Sequence, residues 1–163
     1  MEQEMVTAYC GEGRGKTAAA LGQGLIAAGK GKSVIVIQFL KGRQGVELEI
    51  LKRMEPEIKL FRFDRFAKNY NELAPGEKEE EAANIRNAFG FARKVLVTGE
   101  CDLLILDEIL GLVDLGLVTT EDVRGLLNAR DDSMGLVITG IHMGEELMPY
   151  VDRVYEITSL KKV

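Results

Sequence analysis

Two clusters of residues carry chemistry-bearing side chains at telling spacings. The first is Cys10-Gly11-Glu12-Gly13-Arg14-Gly15-Lys16-Thr17. Glycines let a backbone bend until successive N–H groups point at one anion. A helix opening directly after such a turn adds the partial positive charge of its N-terminus. Lys16 can reach outer phosphate oxygens, and the Thr17 hydroxyl can ligate Mg²⁺. Arg14 offers a further phosphate contact. The usual pattern begins with Gly, and Cys10 stands there instead. The second cluster is Asp107-Glu108, at the end of the apolar run Leu103-Leu104-Ile105-Leu106. Mg²⁺ takes hard oxygen ligands beside bound phosphates. A buried strand that ends in carboxylates projects them from a rigid base. Thr17, Asp107 and Glu108 are therefore the expected metal set, with Lys16, Thr17 and Glu108 nearest the chemistry.

The elements around these clusters follow from periodicity. Val6 to Tyr9 reads as a strand entering the glycine turn, and Lys16 to Lys30 as the helix leaving it. Ser33 to Phe39 and Gly135 to Gly140 are continuous apolar runs, as expected of parallel strands buried on both faces. Ile58 to Phe63 alternates as a shorter strand, and Arg153 to Ile157 reads as a last one. Helices are expected over Gly45 to Glu55, Glu77 to Thr98, Thr119 to Ala129 with Thr120 as cap, and Glu145 to Tyr150. The acidic run Glu77, Glu79, Glu80 and Glu81 reads as a solvated helix start, and 64–76 as a long functional loop. Repeated strand-then-helix units predict an α/β fold of the P-loop NTPase type. It is a three-layer sandwich, with a mostly parallel sheet of about six strands and helices on both faces. The expectation is a single nucleotide-binding domain over 1–163.

Composition bounds the alternatives. The net charge of −5 argues against a broad nucleic-acid footprint. No apolar run reaches the ~20 residues that span a bilayer, so no membrane role is expected. The acidic start Met1-Glu2-Gln3-Glu4 is unlike a signal or transit peptide, so a cytoplasmic protein with two reduced thiols, Cys10 and Cys101, is expected. His142 is the single histidine and reads as an exposed loop residue rather than a ligand. Gln38 and Lys41 lie at the C-terminal end of a buried strand, where α/β proteins bind ligands. From these residues alone, an ATPase, a small-molecule kinase and a nucleotide-binding regulator all remain open.

The residues also resemble a family, the ATP:corrinoid adenosyltransferases. Its P-loop has the same short form without the first glycine. The resemblance continues through Gln38-Phe39-Leu40-Lys41-Gly42, Gly45-Val46-Glu47-Leu48, Asp102 to Ile109, Leu115-Gly116-Leu117-Val118, Val137-Ile138-Thr139-Gly140 and Val151-Asp152-Arg153-Val154. It implies transfer of the 5′-deoxyadenosyl group of ATP to the cobalt of a reduced corrinoid, cob(I)alamin or cob(I)yrinic acid a,c-diamide, with release of tripolyphosphate. It further implies Mg²⁺, a homodimer and a flavoprotein reductant as partner. Carried over by position, Gly11, Glu12, Gly13, Arg14, Gly15, Lys16, Thr17, Ala18, Gln38 and Lys41 would bind the nucleotide. Phe89 would face the corrinoid in place of a Trp typical of the family, with Phe66 and Tyr70 as further aromatic candidates. Ala18 stands where the family repeats Thr, Leu110 where a polar residue follows Asp-Glu, Asp131 where Pro is usual, and Ile141 where Arg follows Thr-Gly.

Overall fold

A computed structural model describes residues 4–40, 49–63, 65–66 and 68–162. Six strands form one sheet: β1 (Val6–Cys10), β2 (Val34–Gln38), β3 (Ile58–Arg62), β4 (Leu103–Asp107), β5 (Gly135–Thr139) and β6 (Arg153–Glu156). Their order is β3-β2-β4-β5-β1-β6, and every pairing is parallel. The helices are α1 (Lys16–Gly29), α2 (Glu49–Lys52), α3 (Pro75–Thr98), α4 (Ile109–Asp114) and α5 (Thr120–Ala129). Short 3₁₀ helices occupy Tyr70–Glu72 and Glu145–Tyr150.

The sheet separates two apolar layers because side chains alternate along each strand. On β4, Leu104 and Leu106 point into the larger cluster, with Ile85, Ala92 and Leu96 of α3, Leu112 of α4 and Leu126 of α5. Leu103 and Ile105 point into the other, which holds Ala20 of α1 and Leu51 of α2. All four strand residues are buried, so the α/β sandwich expected from sequence is the fold observed. Gly24 allows α1 to lie close, since a Cβ there would stand 3.0 Å from Ile105 Cδ1.

Several boundaries differ from expectation. α3 begins at Pro75, where the Glu77 carboxylate accepts the Ala74 N–H at 3.0 Å. α5 is capped by Thr119 rather than Thr120. The Thr119 hydroxyl accepts the Asp122 N–H at 3.1 Å and the Asp122 carboxylate accepts the Thr119 N–H at 2.9 Å, a reciprocal box. α4 was not expected, because Ile109-Leu110-Gly111-Leu112-Val113 is apolar throughout and has no helical period. Of the helix expected over Gly45 to Glu55, 41–48 lie outside the described residues, and α2 ends at Lys52 rather than Glu55, the chain turning over 53–57.

Candidate functional site

The register of the sheet carries polar side chains to one row. Gln38 pairs with Arg62 on one side and Asp107 on the other. Leu106 pairs with Ile138, so the next step across sets Asp107 beside Thr139, and Thr139 pairs with Tyr9 and Tyr9 with Tyr155. The row thus runs Arg62, Gln38, Asp107, Thr139, Tyr9, Tyr155 at the C-terminal ends of all six strands. It continues the face that carries Val36 and Ile105, the face that α1 covers. α/β sheets bind ligands at this end.

Asp107 is the centre of the row and is fully buried. Its Oδ1 accepts the Thr139 hydroxyl at 2.8 Å, and its Oδ2 accepts Gln38 Nε2 at 3.2 Å. The Thr17 hydroxyl, from the first turn of α1, lies 3.0 and 3.1 Å from the two oxygens. The two clusters picked out in the sequence, 90 residues apart, therefore meet through Thr17 and Asp107. Glu108 follows in a left-handed conformation (φ 66°) that non-glycine residues rarely adopt, and its N–H donates to Thr139 Oγ1 at 2.8 Å. Thr139 drew notice in the sequence only as part of a resembling segment. A polar residue ending an apolar strand was the signal available.

The glycine turn has a division of labour that the sequence does not reveal. Gly11 N–H donates to the Ile141 carbonyl at 2.8 Å, and Gly13 N–H to the Ile157 carbonyl at 2.8 Å. Ile157 N–H returns a bond to the Cys10 carbonyl at 2.8 Å. Two N–H groups of the turn expected to bind the nucleotide are thus already taken by the backbone beyond β5 and β6. Glycine is required at both positions for close approach, since a Cβ would stand 2.4 Å from the Ile157 oxygen at Gly11 and 2.7 Å at Gly13. Gly15 (φ 110°) turns the chain into α1, whose ladder opens with Ala19 N–H on the Gly15 carbonyl at 2.8 Å. The N–H groups of Lys16, Thr17 and Ala18 precede that ladder at the positive end of the helix. Lys16 Nζ folds back on the Gly13 carbonyl at 2.9 Å, while Glu12 and Arg14 are exposed.

Cys10 is the last residue of β1 and is buried, so a strand residue with a side chain fits where other P-loops start their turn. Burial chiefly, and then the charge of Glu156, raises its thiol pKa, while Lys16 opposes them. Cys10 and Cys101 are both free thiols.

The substituted positions have local explanations. Leu110 is buried where α4 crosses the end of β5, and a Cβ on Gly140 would meet Leu110 Cβ at 2.3 Å. Asp131 Oδ1 accepts the Ser133 N–H at 2.8 Å and its hydroxyl at 2.7 Å, bending the chain into β5; these bonds lower its pKa. Ile141 is exposed and supplies the carbonyl that holds Gly11. His142 is exposed, as expected, and its Nδ1 lies 3.0 Å from Asp114 Oδ2.

The aromatic candidates are less clearly placed at the site. Phe89, expected to face the corrinoid, is half-buried against the larger core cluster, as is its neighbour Phe91. Phe91 packs on Phe61 and Phe63, at 4.8 and 5.8 Å between ring centroids. Phe66 is anchored through its backbone, because its N–H and that of Arg65 each donate to the Glu81 carboxylate at 3.2 Å. Glu81 is buried, not solvated as the charge run suggested. Lys78 Nζ lies 5.6 Å from the Tyr70 ring centre. Lys41 lies outside the described residues.

A cavity of about 350 Å³ adjoins the outer side of the glycine turn, between Gly11, Glu12, Gly13, His142 and Thr158. A larger one of about 450 Å³ lies at the opposite end of the strands, near Met5, Lys30 and Asp102, remote from the carboxylates. Among the described residues no group of three or more His, Cys, Asp or Glu side chains could cage a metal ion. The oxygen donors Thr17, Asp107 and Glu108 instead suit Mg²⁺ shared with a phosphate chain. Gln38 Oε1 is buried without a donor among the described residues, an acceptor that a water carried on such an ion would satisfy. No helix among the described residues is long and apolar enough to cross a membrane.

Comparison with known proteins bears on the family and the fold. The family model "ATP:corrinoid adenosyltransferase BtuR/CobO/CobP" matches residues 2–163. Corrinoid adenosyltransferase of Escherichia coli K12 is 28% identical over 161 residues, covering 98% of this chain and 79% of the relative. Corrinoid adenosyltransferase CobA of Salmonella typhimurium LT2 is 27% identical with the same coverage of 98% and 79%. Among solved structures, ATPases 2 and 3 of EssC from Geobacillus thermodenitrificans superpose with a TM-score of 0.52 at 15% identity, over 98% of this chain and 33% of that one. The last likeness bears on the fold alone.

Proposed function

Because the chain belongs to the ATP:corrinoid adenosyltransferase family, whose members adenosylate corrinoids, we propose that it transfers the 5′-deoxyadenosyl group of ATP to the cobalt of a reduced corrinoid. Cob(I)alamin or cob(I)yrinic acid a,c-diamide would be the acceptor, in cytoplasmic synthesis or salvage of adenosylcobalamin. The observation that carries the reading is the contact between Thr17 and Asp107, which joins the glycine turn to the carboxylate strand.

The electron pair of the reduced cobalt forms the bond to C5′ as the C5′–oxygen bond breaks, and its electrons leave with tripolyphosphate. The substrate supplies the nucleophile, so the protein needs no general base. Its work is to position ATP and to hold a highly charged leaving group. Lys16 Nζ would exchange the Gly13 carbonyl for phosphate oxygens, and the N–H groups of Lys16, Thr17 and Ala18 would add the charge of the helix terminus. Thr17, Asp107 and Glu108 would hold Mg²⁺, Asp107 directly or through a water, while its buried carboxylate orients the Thr17 hydroxyl. The ion, when bound, neutralises charge on the departing phosphate chain. Gln38, bonded to Asp107, would present its free acceptor to the same site. A homodimer and a flavoprotein reductant complete the reading.

The test is one anaerobic incubation of the protein with MgATP and chemically reduced cob(I)alamin. A light-sensitive cobalt–carbon product and tripolyphosphate are expected. Orthophosphate released from ATP without corrinoid would overturn the proposal in favour of an ATPase. The Lys16→Ala variant is expected to keep its fold and lose MgATP binding; undiminished affinity would refute the role given to the glycine turn.

A further inference from the structure

We propose that Thr139 is a positioning residue that sets both acidic groups of the metal–triphosphate site through one hydroxyl. The inference rests on the Mg²⁺ reading above but does not need corrinoid chemistry. Thr139 ends β5, which lies between the strand leading into the glycine turn and the strand carrying the carboxylates. No part of it is exposed. A hydroxyl has one proton to donate and lone pairs to accept. Here the proton goes to Asp107 Oδ1 at 2.8 Å, and a lone pair accepts the Glu108 N–H at 2.8 Å.

These two bonds act on different things. The first orients a carboxylate whose other contacts are Thr17 and Gln38. The second holds the backbone where Glu108 turns left-handed, at φ 66° and ψ 18°, to begin α4. That turn decides where the Glu108 side chain is thrown. Without the hydroxyl, the Glu108 N–H loses its acceptor in a half-buried setting, and the turn has less to hold it. Asp107 would then be held less firmly against Thr17, and the turn that carries Glu108 would be less fixed. Partners that orient metal-binding groups typically matter about 10–100-fold in metal affinity.

Mn²⁺ serves as the probe, with free Mn²⁺ read by electron paramagnetic resonance in the presence of ATP. The Thr139→Val variant keeps the side-chain shape and removes the hydroxyl. Its Mn²⁺–ATP affinity is expected to fall about tenfold or more. Metal-free ATP affinity is expected to stay within about twofold, because the phosphate-facing N–H groups of α1 do not depend on Thr139. Thr139→Ser, which restores the hydroxyl, is expected to return to wild-type behaviour. Should the valine variant not fold, Thr139→Ala carries the same comparison without an added methyl. Wild-type Mn²⁺–ATP affinity in the hydroxyl-free variant would overturn the proposal, as would an equal loss with and without metal, which marks a purely structural role. Failure of the wild-type protein to bind Mn²⁺–ATP would overturn the metal reading itself and this inference with it. Mn²⁺–ATP binding with no cobalt–carbon product would overturn only the adenosyl transfer.

Discussion

Replacing Asp107 in two ways separates its hydrogen bonds from its charge. The carboxylate is fully buried, and it accepts hydrogen bonds from the neutral groups of Thr17, Thr139 and Gln38. Asp107→Ala deletes the acceptor and strands the Thr139 hydroxyl and Gln38 Nε2 in a dry setting. Each stranded donor costs about 1–3 kcal/mol, giving roughly 2–6 kcal/mol together. Thr17 is only half-buried and can rehydrate. Asp107→Asn keeps an oxygen for Thr139 and sets an N–H₂ group toward Gln38. Gln38 can turn its amide so that Oε1 accepts that bond, which exchanges one unpartnered end of the amide for the other and adds no new one. The asparagine variant forgoes charge assistance but relieves a buried charge, so it is expected within about 1 kcal/mol of wild type. Urea denaturation of the metal-free protein measures both. The alanine variant should lie at least about 2 kcal/mol below the asparagine variant, while both lose Mg²⁺-dependent ATP affinity. Equal stabilities of the two variants, or an asparagine variant as unstable as alanine, would refute the account of Asp107 as a buried acceptor.

Two further outcomes follow from burial and close packing. Gly22→Ala, with nothing within 4 Å of the new Cβ, should stabilise α1 by about 0.5–1 kcal/mol, whereas Gly24→Ala, 3.0 Å from Ile105 Cδ1, should lose that gain to overpacking; thermal melts of the two variants in parallel check the ordering. Burial pushes the Cys101 thiol up to about 12. A thiol that folding makes harder to ionise stabilises the protein fully below the ordinary thiol pKa, and that stability is lost as pH rises from there toward the folded value. Stability should thus fall from about pH 9 upward, and a thiol reagent at pH 8 should modify Cys101 only as fast as the protein unfolds. A Cys101→Ala variant that retains the same alkaline loss would refute the assignment, as would rapid labelling of the native protein.

What the sequence made legible was whatever a local period or a short motif encodes. The β2, β4 and β5 strands are continuous apolar runs, and α3 declares itself through acidic residues at its start. The meeting of Thr17 with Asp107 was legible because each residue stands at a fixed offset from a glycine turn or a strand end. Thr139 was not, because its role depends on β5 lying between β1 and β4, an order that no local pattern records. Glu81 misled for the same reason. It belongs to a charge run that reads as solvated, yet the backbone of 65–66 returns over it and buries its carboxylate. α4 was hidden by lacking a polar face, as a helix packed on several sides does.

The two amide groups already engaged at Gly11 and Gly13 change how the glycine turn should be understood. In a turn whose N–H groups all face the ligand, losing the hydroxyl of a second Thr at position 18 removes one contact from a continuous ring. Here Ile141 and Ile157 fix the outer half of the turn, and its remaining freedom lies at the helix end. That half is a wall: a side chain at Gly13 would collide with the Ile157 carbonyl carbon at 2.8 Å, so the wall and the C-terminal segment must move together or not at all. On the proposed reading, the phosphate chain would then be held chiefly by Lys16 and by the N–H groups of Lys16, Thr17 and Ala18. A backbone N–H is indifferent to whether its residue carries Thr or Ala. The substitution at Ala18 therefore removes a hydroxyl from the rim and leaves the charge at the helix terminus intact. Restoring the hydroxyl with Ala18→Thr should accordingly raise MgATP affinity by no more than the ~1 kcal/mol of one neutral hydrogen bond, about fivefold, when measured by calorimetry. A gain of a hundredfold or more would show that the terminus alone does not hold the phosphate chain.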